Sequence, residues 1–258
     1  NFAMKQYLSR EYDFIFLLDD DIQLEKDCLS ALVTAMNEDP TISLAVPLIL
    51  NEDGTVLSAG GIYYRLFGQP WLIREANSPQ RNLDFASGAI GLYRKEAIAA
   101  VGPFDTDFDP YGFEDIDYGL RLNARGYRIR LVDKALCRHL TAYSFHQEQG
   151  FFLYHTTKHR LICAYKHLCL FAFLFASLPW YLVRRIAFPV IKFALQGESH
   201  LSFEIIRGFK DGLKKISWQL AVGGERLLGT GTLQRVPTNR QPATTEWTGI
   251  SVVYPTRD

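Results

Sequence analysis

The sequence predicts an α/β fold, with a mixed, mostly parallel sheet in its first part and helices in its second part. Apolar runs at residues 13–19 and 42–50 are typical of strands buried on both faces, and they alternate with helical patterns. Such alternation favours a sheet covered by helices. Beyond about residue 148 only helical patterns remain. The 258 residues have room for one large or two small domains.

Local patterns predict each element of the first part. In chain order these are the end of a helix (2–10), a strand (13–19), a helix (26–39), a strand (42–50), a hairpin (55–68), a loop (67–82), a strand, turn, strand and short helix (83–102), a helix (113–126) and a strand (127–133). Pro40 stops the helix before it, because proline cannot continue a helix. Gly102 and Gly126 follow the later helices, where glycine is the common terminating residue.

The second part combines apolar and amphipathic helices. Residues 168–183 hold no charge, but they are fewer than the roughly 20 residues that an ordinary membrane span needs. Pro179 and the Arg184-Arg185 pair favour a helix that lies in the membrane interface or re-enters it, with a tilted or kinked span as the alternative. Apolar residues recur about every four positions in 201–220, which predicts an amphipathic helix: Leu201, Ile205, Phe209, Leu213, Ile216 and Leu220.

Composition excludes several classes of protein. A hydrophobic content of 48% excludes a disordered chain, and a net charge of zero implies no partner among nucleic acids. The four cysteines form no CxxC pair, which argues against a zinc site or a disulfide framework and fits a reducing compartment.

Charge is distributed unevenly along the chain. Residues 105–117 carry six acids and no base, whereas residues 158–215 carry ten Lys or Arg against three Asp or Glu. A basic, aromatic and apolar region suggests an anionic membrane surface as partner. Alternatively, the basic helices pack only on their own chain.

Three consecutive carboxylates, Asp19-Asp20-Asp21, follow the first buried strand. Ligands bind at the carboxyl ends of strands in open α/β sheets, and hard oxygen ligands suit Mg²⁺ or Mn²⁺. Alternation along an extended chain would send Asp19 and Asp21 to one side and Asp20 to the other. The alternative is a solvated acidic loop that caps the next helix.

A second acidic motif, Glu114-Asp115, begins a predicted helix. The positive end of the helix dipole favours carboxylates there, so a purely structural role is one interpretation. A carboxylate fixed beside a cleft could instead accept a proton from an attacking hydroxyl. Asp117 and Arg121, four residues apart, are expected to pair on the helix surface.

His139 follows a predicted strand and is a candidate metal ligand, because neutral imidazole commonly binds metals. His146, His155 and His159 compete for that role. Trp71 could stack on a sugar or pack on its own domain.

Three separated motifs in this order resemble a family-two inverting glycosyltransferase of the GT-A fold, of the type that builds bacterial cell-surface glycans. The motifs are FIFLLDDDIQLEKDCLSALV, then ASGAIGLYRKEAIAAVGPFDTDFDPYGFEDIDYGLRLNARGYRI, then CRH. The resemblance covers roughly residues 1–165. The helical tail is similar, more weakly, to the membrane-associating part of such sugar transferases.

The resemblance implies roles for individual residues. Asp19 and Asp21, with Asp20 between them, would bind the donor's ribose and diphosphate through a divalent cation, Mg²⁺ or Mn²⁺, and His139 would complete the metal site. Asp115 would be the general base, and Glu114 would help to bind the acceptor hydroxyl. Ser87 and Gly88 would line the cleft for the donor sugar and the acceptor.

The implied reaction has a nucleotide-diphosphate sugar as donor and a glycan or lipid-linked molecule as acceptor, at the cytoplasmic face of the bacterial membrane. An inverting transfer needs one base and no protein nucleophile. This fits the absence of a recognisable Ser-His-Asp or Cys-His arrangement in the sequence. The open alternatives are a non-catalytic binding module for glycans or nucleotide sugars and a metal-dependent phosphohydrolase.

The chain departs from the family pattern at both ends. The family's first strand and nucleotide-binding half do not precede the aspartate motif, whereas GISVVYPTRD at residues 249–258 resembles that first strand. Residues 1–147 are therefore expected to be the second half of a catalytic domain, 148–228 a membrane-associating region, 229–248 a linker, and 249–258 the first strand of a second or circularly permuted domain. In either case residues 250–254 could dock beside strand 13–19, and the isolated chain is expected to be inactive.

Overall fold

The computed structural model describes Leu8, residues 11–75, 82–140 and 149–222, and the backbone of residues 251–253. Its strands are β1 Phe14–Leu18, β2 Ile22–Leu24, β3 Ile42–Leu50, β4 Val56–Ser58, β5 Gly61–Tyr64, β6 Gln69–Leu72, β7 Ile90–Arg94, β8 Arg128–His139 and β9 Ser251–Val253. The predicted fold class, a mixed α/β domain followed by a helical region, is confirmed. The predictions for residues 2–7, 9–10 and 229–248 lie outside the described residues.

Six helices accompany these strands in the described residues. They are α1 Cys28–Glu38, α2 Lys95–Val101, α3 Glu114–Ala124, α4 Gln149–His167, α5 Leu170–Leu195 and α6 Ser199–Ala221. A 3₁₀ turn covers Thr106–Phe108. Helix α5 contains two π-helical stretches, Phe173–Ser177 and Leu182–Ala187.

The main sheet has the order β2-β8-β3-β7-β1-β9, and β4 extends from β3. Only the β3–β8 and β1–β9 pairings are parallel, so the expectation of a mostly parallel sheet is wrong for the described strands. The reason is that β7 lies between β1 and β3 and runs antiparallel to both, while β2 and β4 add antiparallel edges.

Helices cover both faces of this sheet. On one face, Phe14 and Phe16 of β1 pack with Leu32 and Met36 of α1. On the other face, Ile15 belongs to a cluster that includes residues of α2 and α3. Complete burial of an aliphatic or aromatic side chain contributes about 1.5–3 kcal/mol, so these two clusters hold β1 at the centre of the domain.

The segment between β3 and β7 differs from the sequence prediction. The hairpin is formed by β5 and β6, and its turn contains Gly68 with φ +61°, a left-handed conformation that glycine adopts without strain. Leu83 and Phe85 make only isolated bridges, to Ile129 and Gly61, instead of a strand. Between them, the carboxylate of Asp84 accepts a hydrogen bond from the backbone N–H of Tyr63 in β5.

The helical region packs against the α/β domain through α4 and α6. Leu201, Ile205 and Ile216 of the predicted stripe are buried, whereas Leu213 and Leu220 are exposed. A spacing of four residues advances about 400° around a helix, so such a stripe drifts by about 40° at each step and leaves the buried face. Helix α5 is long and apolar enough to cross a membrane by length and composition, and 17% of its most apolar window is buried.

Strand β9 lies beside β1 in parallel register, with Phe16 opposite Val252. This is the position in which residues 250–254 were expected to dock. This pairing is compatible both with the first strand of a second domain and with a circularly permuted domain.

Candidate active site

The segment 87–89 connects the two acidic motifs. The backbone N–H of Asp19 donates to the carbonyl of Ala89 at 2.9 Å. One residue earlier, the N–H of Gly88 donates to Oδ2 of Asp115 at 3.0 Å. Ser87 lies half-buried next to Gly88. The fold therefore brings the aspartate motif, the small-residue segment and the Glu-Asp motif together, as the resemblance implies.

The side chain of Tyr93 on β7 interacts electrostatically with carboxylates of both acidic motifs, and the sequence did not predict this. Burial raises the pKa of its phenol well above 10, and the neighbouring Tyr118 and the carboxylates of Asp115, Glu114 and Asp19 raise that pKa further. A phenol kept protonated can donate a hydrogen bond. No local motif marked this residue, because its role depends on the position of β7 between two other strands.

Glu114 and Asp115 begin α3, directly after Phe113, whose backbone is left-handed with φ +77°. Oδ1 of Asp115 accepts a hydrogen bond of 2.7 Å from the backbone N–H of Ile116. With Gly88, this gives the Asp115 carboxylate two backbone donors that fix its orientation. The helix N-terminus also favours its charge.

Acidity sets Asp115 apart from an ordinary helix-capping carboxylate. Burial raises the pKa of Asp115 to about 7, and the charge of Glu114 adds to this, while the N–H donors of Ile116 and Gly88 act in the opposite direction. Burial also raises the pKa of Glu114. A carboxylate whose pKa lies near neutral pH suits proton transfer in either direction, which is the property of a general base.

Residues 19–21 form a turn between β1 and β2, in which the N–H of Ile22 donates to the carbonyl of Asp19 at 3.3 Å. The alternation argument for an extended chain is therefore wrong here. Asp20 is nevertheless exposed, whereas Asp19 and Asp21 are half-buried.

His139 lies next to Asp21, because Ile22 and His139 are paired between β2 and β8. Nε2 of His139 is 3.7 Å from Oδ2 of Asp21. Oδ1 of Asp21 and Nδ1 of His139 are buried and have no hydrogen-bond partner among the described residues. A carboxylate oxygen and a neutral imidazole nitrogen are both atom types that bind divalent cations. Within the described ranges no three His, Cys, Asp or Glu side chains form a cluster that could hold a metal, so Asp19 is not gathered with this pair.

The competing histidines have other positions. Nδ1 of His159 lies 2.8 Å from the carbonyl of Tyr111 and 3.0 Å from that of Gly112. Both partners are acceptors, so Nδ1 donates, and burial lowers the pKa of His159 to about 4. His155 is buried on the same helix, and His146 lies outside the described residues. His159 therefore supports the loop that leads to Glu114.

The acidic run and the basic helices pair with each other. Nζ of Lys166 on α4 lies 2.6 Å from Asp105 and 2.5 Å from Asp107, and Lys215 on α6 lies 2.6 Å from Asp107. Packing on the chain itself therefore accounts for part of the basic charge. The uneven charge distribution was the signal in the sequence, but it did not identify the partners.

Asp117 and Arg121 pair at 2.7 Å, but in the interior, not on the helix surface as predicted. Nε2 of His167, at the end of α4, is 2.7 Å from the other carboxylate oxygen of Asp117. Arg121 also donates to the carbonyls of Val101 and Pro103. The pair is buried because α4 covers this face of α3. Trp71 lies on β6 with 60% exposure, and its contact with a sugar stays a prediction.

Comparison with known proteins identifies relatives that make glycans. Poly-beta-1,6-N-acetyl-D-glucosamine synthase of Staphylococcus aureus (strain COL) is 29% identical over 129 residues, which cover 49% of this chain and 30% of that protein. Chondroitin synthase of Pasteurella multocida (strain Pm70) is 27% identical, over 50% of this chain and 16% of that protein. The chain thus spans less than a third of the length of these relatives.

Among solved structures, that of GalNAc-T7 with UDP, GalNAc and Mn²⁺ matches 83% of this chain and 42% of its own, with 14% identity and a TM-score of 0.43. A family model, by contrast, matches the amino-acid sequence over most of the chain. The family model for glycosyl transferase family group 2 matches residues 14–196, from β1 to the end of α5. The chain belongs to this family.

Proposed function

We propose that the protein is an inverting glycosyltransferase that moves a sugar from a nucleotide-diphosphate donor to a hydroxyl of a glycan or lipid-linked acceptor. Asp115 is the general base, and Glu114 helps to bind the acceptor hydroxyl. The observation that carries the proposal is the Asp115 carboxylate, which two backbone N–H groups orient and whose pKa burial raises to about 7.

In the proposed reaction, Asp115 takes the proton from the acceptor hydroxyl as its oxygen attacks the anomeric carbon of the donor sugar. A new carbon–oxygen bond forms on one face, and the bond to the nucleoside diphosphate breaks on the opposite face. The leaving group departs with the bonding electrons, so the configuration at the anomeric carbon inverts. The acceptor proton stays on Asp115 until solvent removes it.

Asp21 and His139 would hold a divalent cation, Mg²⁺ or Mn²⁺, and Asp19 and Asp20 would contact the donor's ribose and diphosphate beside it. A cation at this position supplies positive charge against the negative charge that builds on the leaving diphosphate. Two protein ligands suit Mg²⁺, which usually keeps several waters and takes further oxygens from substrate phosphates. Gly88 contacts Asp115, and Ala89 of the same segment contacts Asp19, so the donor sugar would fit beside Ser87 and Gly88.

The acceptor class follows from the relatives. Both curated relatives are named as synthases of glycan polymers, so we propose a growing glycan or a lipid-linked sugar as acceptor. Helix α5 supports association with a membrane, because large apolar side chains on it are exposed. These are, among others, Phe171, Phe175, Val183 and Phe188. We propose that this is a bacterial membrane and that the protein acts at its cytoplasmic face.

Asp115→Asn distinguishes the enzyme from a non-catalytic binding module. Because the isolated chain is expected to be inactive, the variant is made in the complete protein. General base catalysis contributes about 100- to 10,000-fold, so the variant should lose that much transfer, measured as product formed from a panel of nucleotide sugars. Donor binding, measured by calorimetry, should stay close to that of the unmodified protein. Asp133→Asn, a matched change at an exposed site, should leave both unchanged. Full transfer by the Asp115→Asn variant would refute the assignment of the base, and phosphate release without acceptor would indicate a phosphohydrolase.

A further inference from the structure

Two arginines of the helical region share one neutral acceptor. Nη1 of Arg160 on α4 and Nη2 of Arg185 on α5 both donate to Oε1 of Gln69, at 2.9 and 3.0 Å. Neither guanidinium has a carboxylate within ion-pair distance in the described part of the chain. An amide oxygen offers no charge to balance the two cations, so this pair is electrostatically incomplete.

The surroundings of Arg160 disfavour its unbalanced positive charge. Burial lowers the pKa of Arg160 to about 10, and the charge of Arg185 lowers it further. Arg160 is partly buried and has no anionic partner among the described residues, so an anion bound beside it would stabilise its charge. Lys166, another basic residue that packs against the interior, does have carboxylate partners.

A cavity adjoins the two guanidinium groups. It has a volume of about 90 Å³ and lies between α4, α5 and α6. Arg160 and Arg185 form its cationic side, and its other walls include Leu153, Pro189 and Ile205. The hydroxyl of Tyr181, which also lines it, is already used, because it donates to the carbonyl of Thr157 at 2.6 Å. The space therefore combines two cations with walls that are partly apolar, since Thr156 and Thr157 also line it.

We propose that Arg160 and Arg185 form a binding site for a phosphate group. Guanidinium groups bind phosphate oxygens bidentately, and they are better suited than lysine to partly buried phosphate sites. A membrane lipid headgroup or free phosphate could supply this chemistry. The apolar walls and the position of Arg185 on α5 favour a phosphate carried on a lipid.

The site is connected to the candidate active site. The guanidinium of Arg160 lies over the ring of Phe113 at 5.1 Å, and Phe113 is the residue before Glu114. A bound phosphate would change the position of the Arg160 guanidinium relative to the Phe113 ring, and this change would reach the start of α3. Only this connection rests on the proposed function, since phosphate binding is measurable without transfer activity.

Binding to lipid vesicles tests the lipid source. The protein is mixed with phosphatidylcholine vesicles that contain either no phosphatidylglycerol or about 30% of this anionic lipid. Arg185→Gln should lose about tenfold of the phosphatidylglycerol-dependent binding, because it removes one of the two charge-assisted contacts to the phosphate. Arg184→Gln is the matched control, since Arg184 has the same charge on the same helix but does not line the cavity.

Thermal unfolding tests the free phosphate. Millimolar inorganic phosphate should raise the Tm of the unmodified protein and of Arg184→Gln, but not that of Arg185→Gln, whose side chain is exposed and whose loss should not prevent folding. A shift in Tm without Arg185-dependent vesicle binding would support the phosphate site with a soluble source. Equal losses for Arg184→Gln and Arg185→Gln on vesicles, with no phosphate-dependent Tm shift, would overturn the proposal.

Discussion

Asp115 experiences two opposing influences on its acidity. Burial and the neighbouring Glu114 raise its pKa, whereas the N–H groups of Ile116 and Gly88 stabilise its charged form. The hydrogen bonds orient the carboxylate while burial keeps it basic. A buried carboxylate without the N–H donors would be poorly oriented. A carboxylate with these donors but without burial would be too weak a base at neutral pH.

The pH dependence of transfer should reveal this balance. Only the deprotonated carboxylate can accept the acceptor's proton, so kcat/KM should rise about tenfold per pH unit below pH 7 and level off above it. Glu114→Gln removes a negative charge that raises the pKa of Asp115, so the midpoint should move to lower pH even if the overall rate falls. The measurement is kcat/KM from pH 5 to 9 at fixed metal concentration.

The Asp133→Asn variant provides the control, and its midpoint should match that of the unmodified protein. A midpoint that does not move in Glu114→Gln would contradict the coupling between the two carboxylates. A rate that falls as pH rises through 7 would contradict the role of Asp115 as a base.

Individual residues also show what the sequence could and could not predict. The spacing of Asp117 and Arg121 predicted their pairing, but not its burial, because the third member, His167, lies fifty positions further along the chain and reaches them only through the packing of α4. The triple aspartate predicted a carboxylate site. It did not predict the turn at residues 19–21, since that conformation depends on the pairing of β2 with β8.

At the scale of elements, α4 holds the loop that leads to the base. His159 donates to the carbonyls of Tyr111 and Gly112, and Lys166 binds Asp105 and Asp107. His167, at the end of the same helix, contacts α3 itself. One helix thus contacts both the approach to Glu114 and the helix that carries Asp115, so we infer that α4 positions the Glu-Asp motif.

Lys166→Ala should therefore impair transfer without contacting substrate. It leaves Asp105 without its lysine partner and Asp107 with Lys215 as its remaining cation, which costs about 1–3 kcal/mol of stability, and loosens the loop before Glu114. We expect kcat to fall by about tenfold, because a small misplacement of a catalytic group can cost up to about 100-fold, while KM for the donor stays nearly unchanged.

Lys158→Ala on the same helix is the matched control and should retain kcat. Lys166→Arg should restore part of the loss, since it keeps the charge. Equal reductions of kcat in the Lys158 and Lys166 variants would indicate a general effect on α4 and contradict positioning through Asp105 and Asp107.

Two glycines allow α4 and α6 to approach closely. A Cβ atom added at Gly208 would lie 2.4 Å from the carbonyl oxygen of Tyr154, and one added at Gly212 would lie 3.3 Å from that of Lys158. The first distance requires the helices to separate, because the obstacle is backbone. Gly208→Ala should thus destabilise the protein by about 1–3 kcal/mol, as overpacking does, measured by urea unfolding. Lys210→Ala, at an exposed position of α6, is the control. Unchanged stability of Gly208→Ala would show that the helices separate without cost.

Element types were more predictable than their partners. The helices at 28–38 and 114–124 and the strands at 14–18 and 42–50 follow from periodicity, because their burial is reflected in local sequence. The antiparallel insertion of β7 and the isolated bridges of Leu83 and Phe85 do not, since they depend on residues distant in the chain.

At the scale of the whole molecule, the helical region and the α/β domain share a core. One cluster combines Phe85, Phe108 and Phe113 with Leu161 and Ile216 of α4 and α6. The segment next to Asp115 and the helices that precede and follow α5 are thus parts of one packed unit. Any interaction of α5 with a membrane would fix the orientation of the candidate active site relative to the bilayer.

This orientation depends on the exposed aromatic side chains of α5. Phe171 and Phe175 are 73% and 69% exposed, and their rings lie 4.9 Å apart on one side of the helix. Burying such a side chain in an apolar phase contributes about 1.5–3 kcal/mol, so replacing both with Glu should lower partitioning into neutral phosphatidylcholine vesicles by at least about tenfold. Neutral vesicles exclude attraction by the basic residues. Phe203→Glu, at a 61% exposed site on α6, is the control and should partition like the unmodified protein. Cosedimentation measures the effect, and equal loss from both helices, or no loss from either, would contradict membrane association through α5.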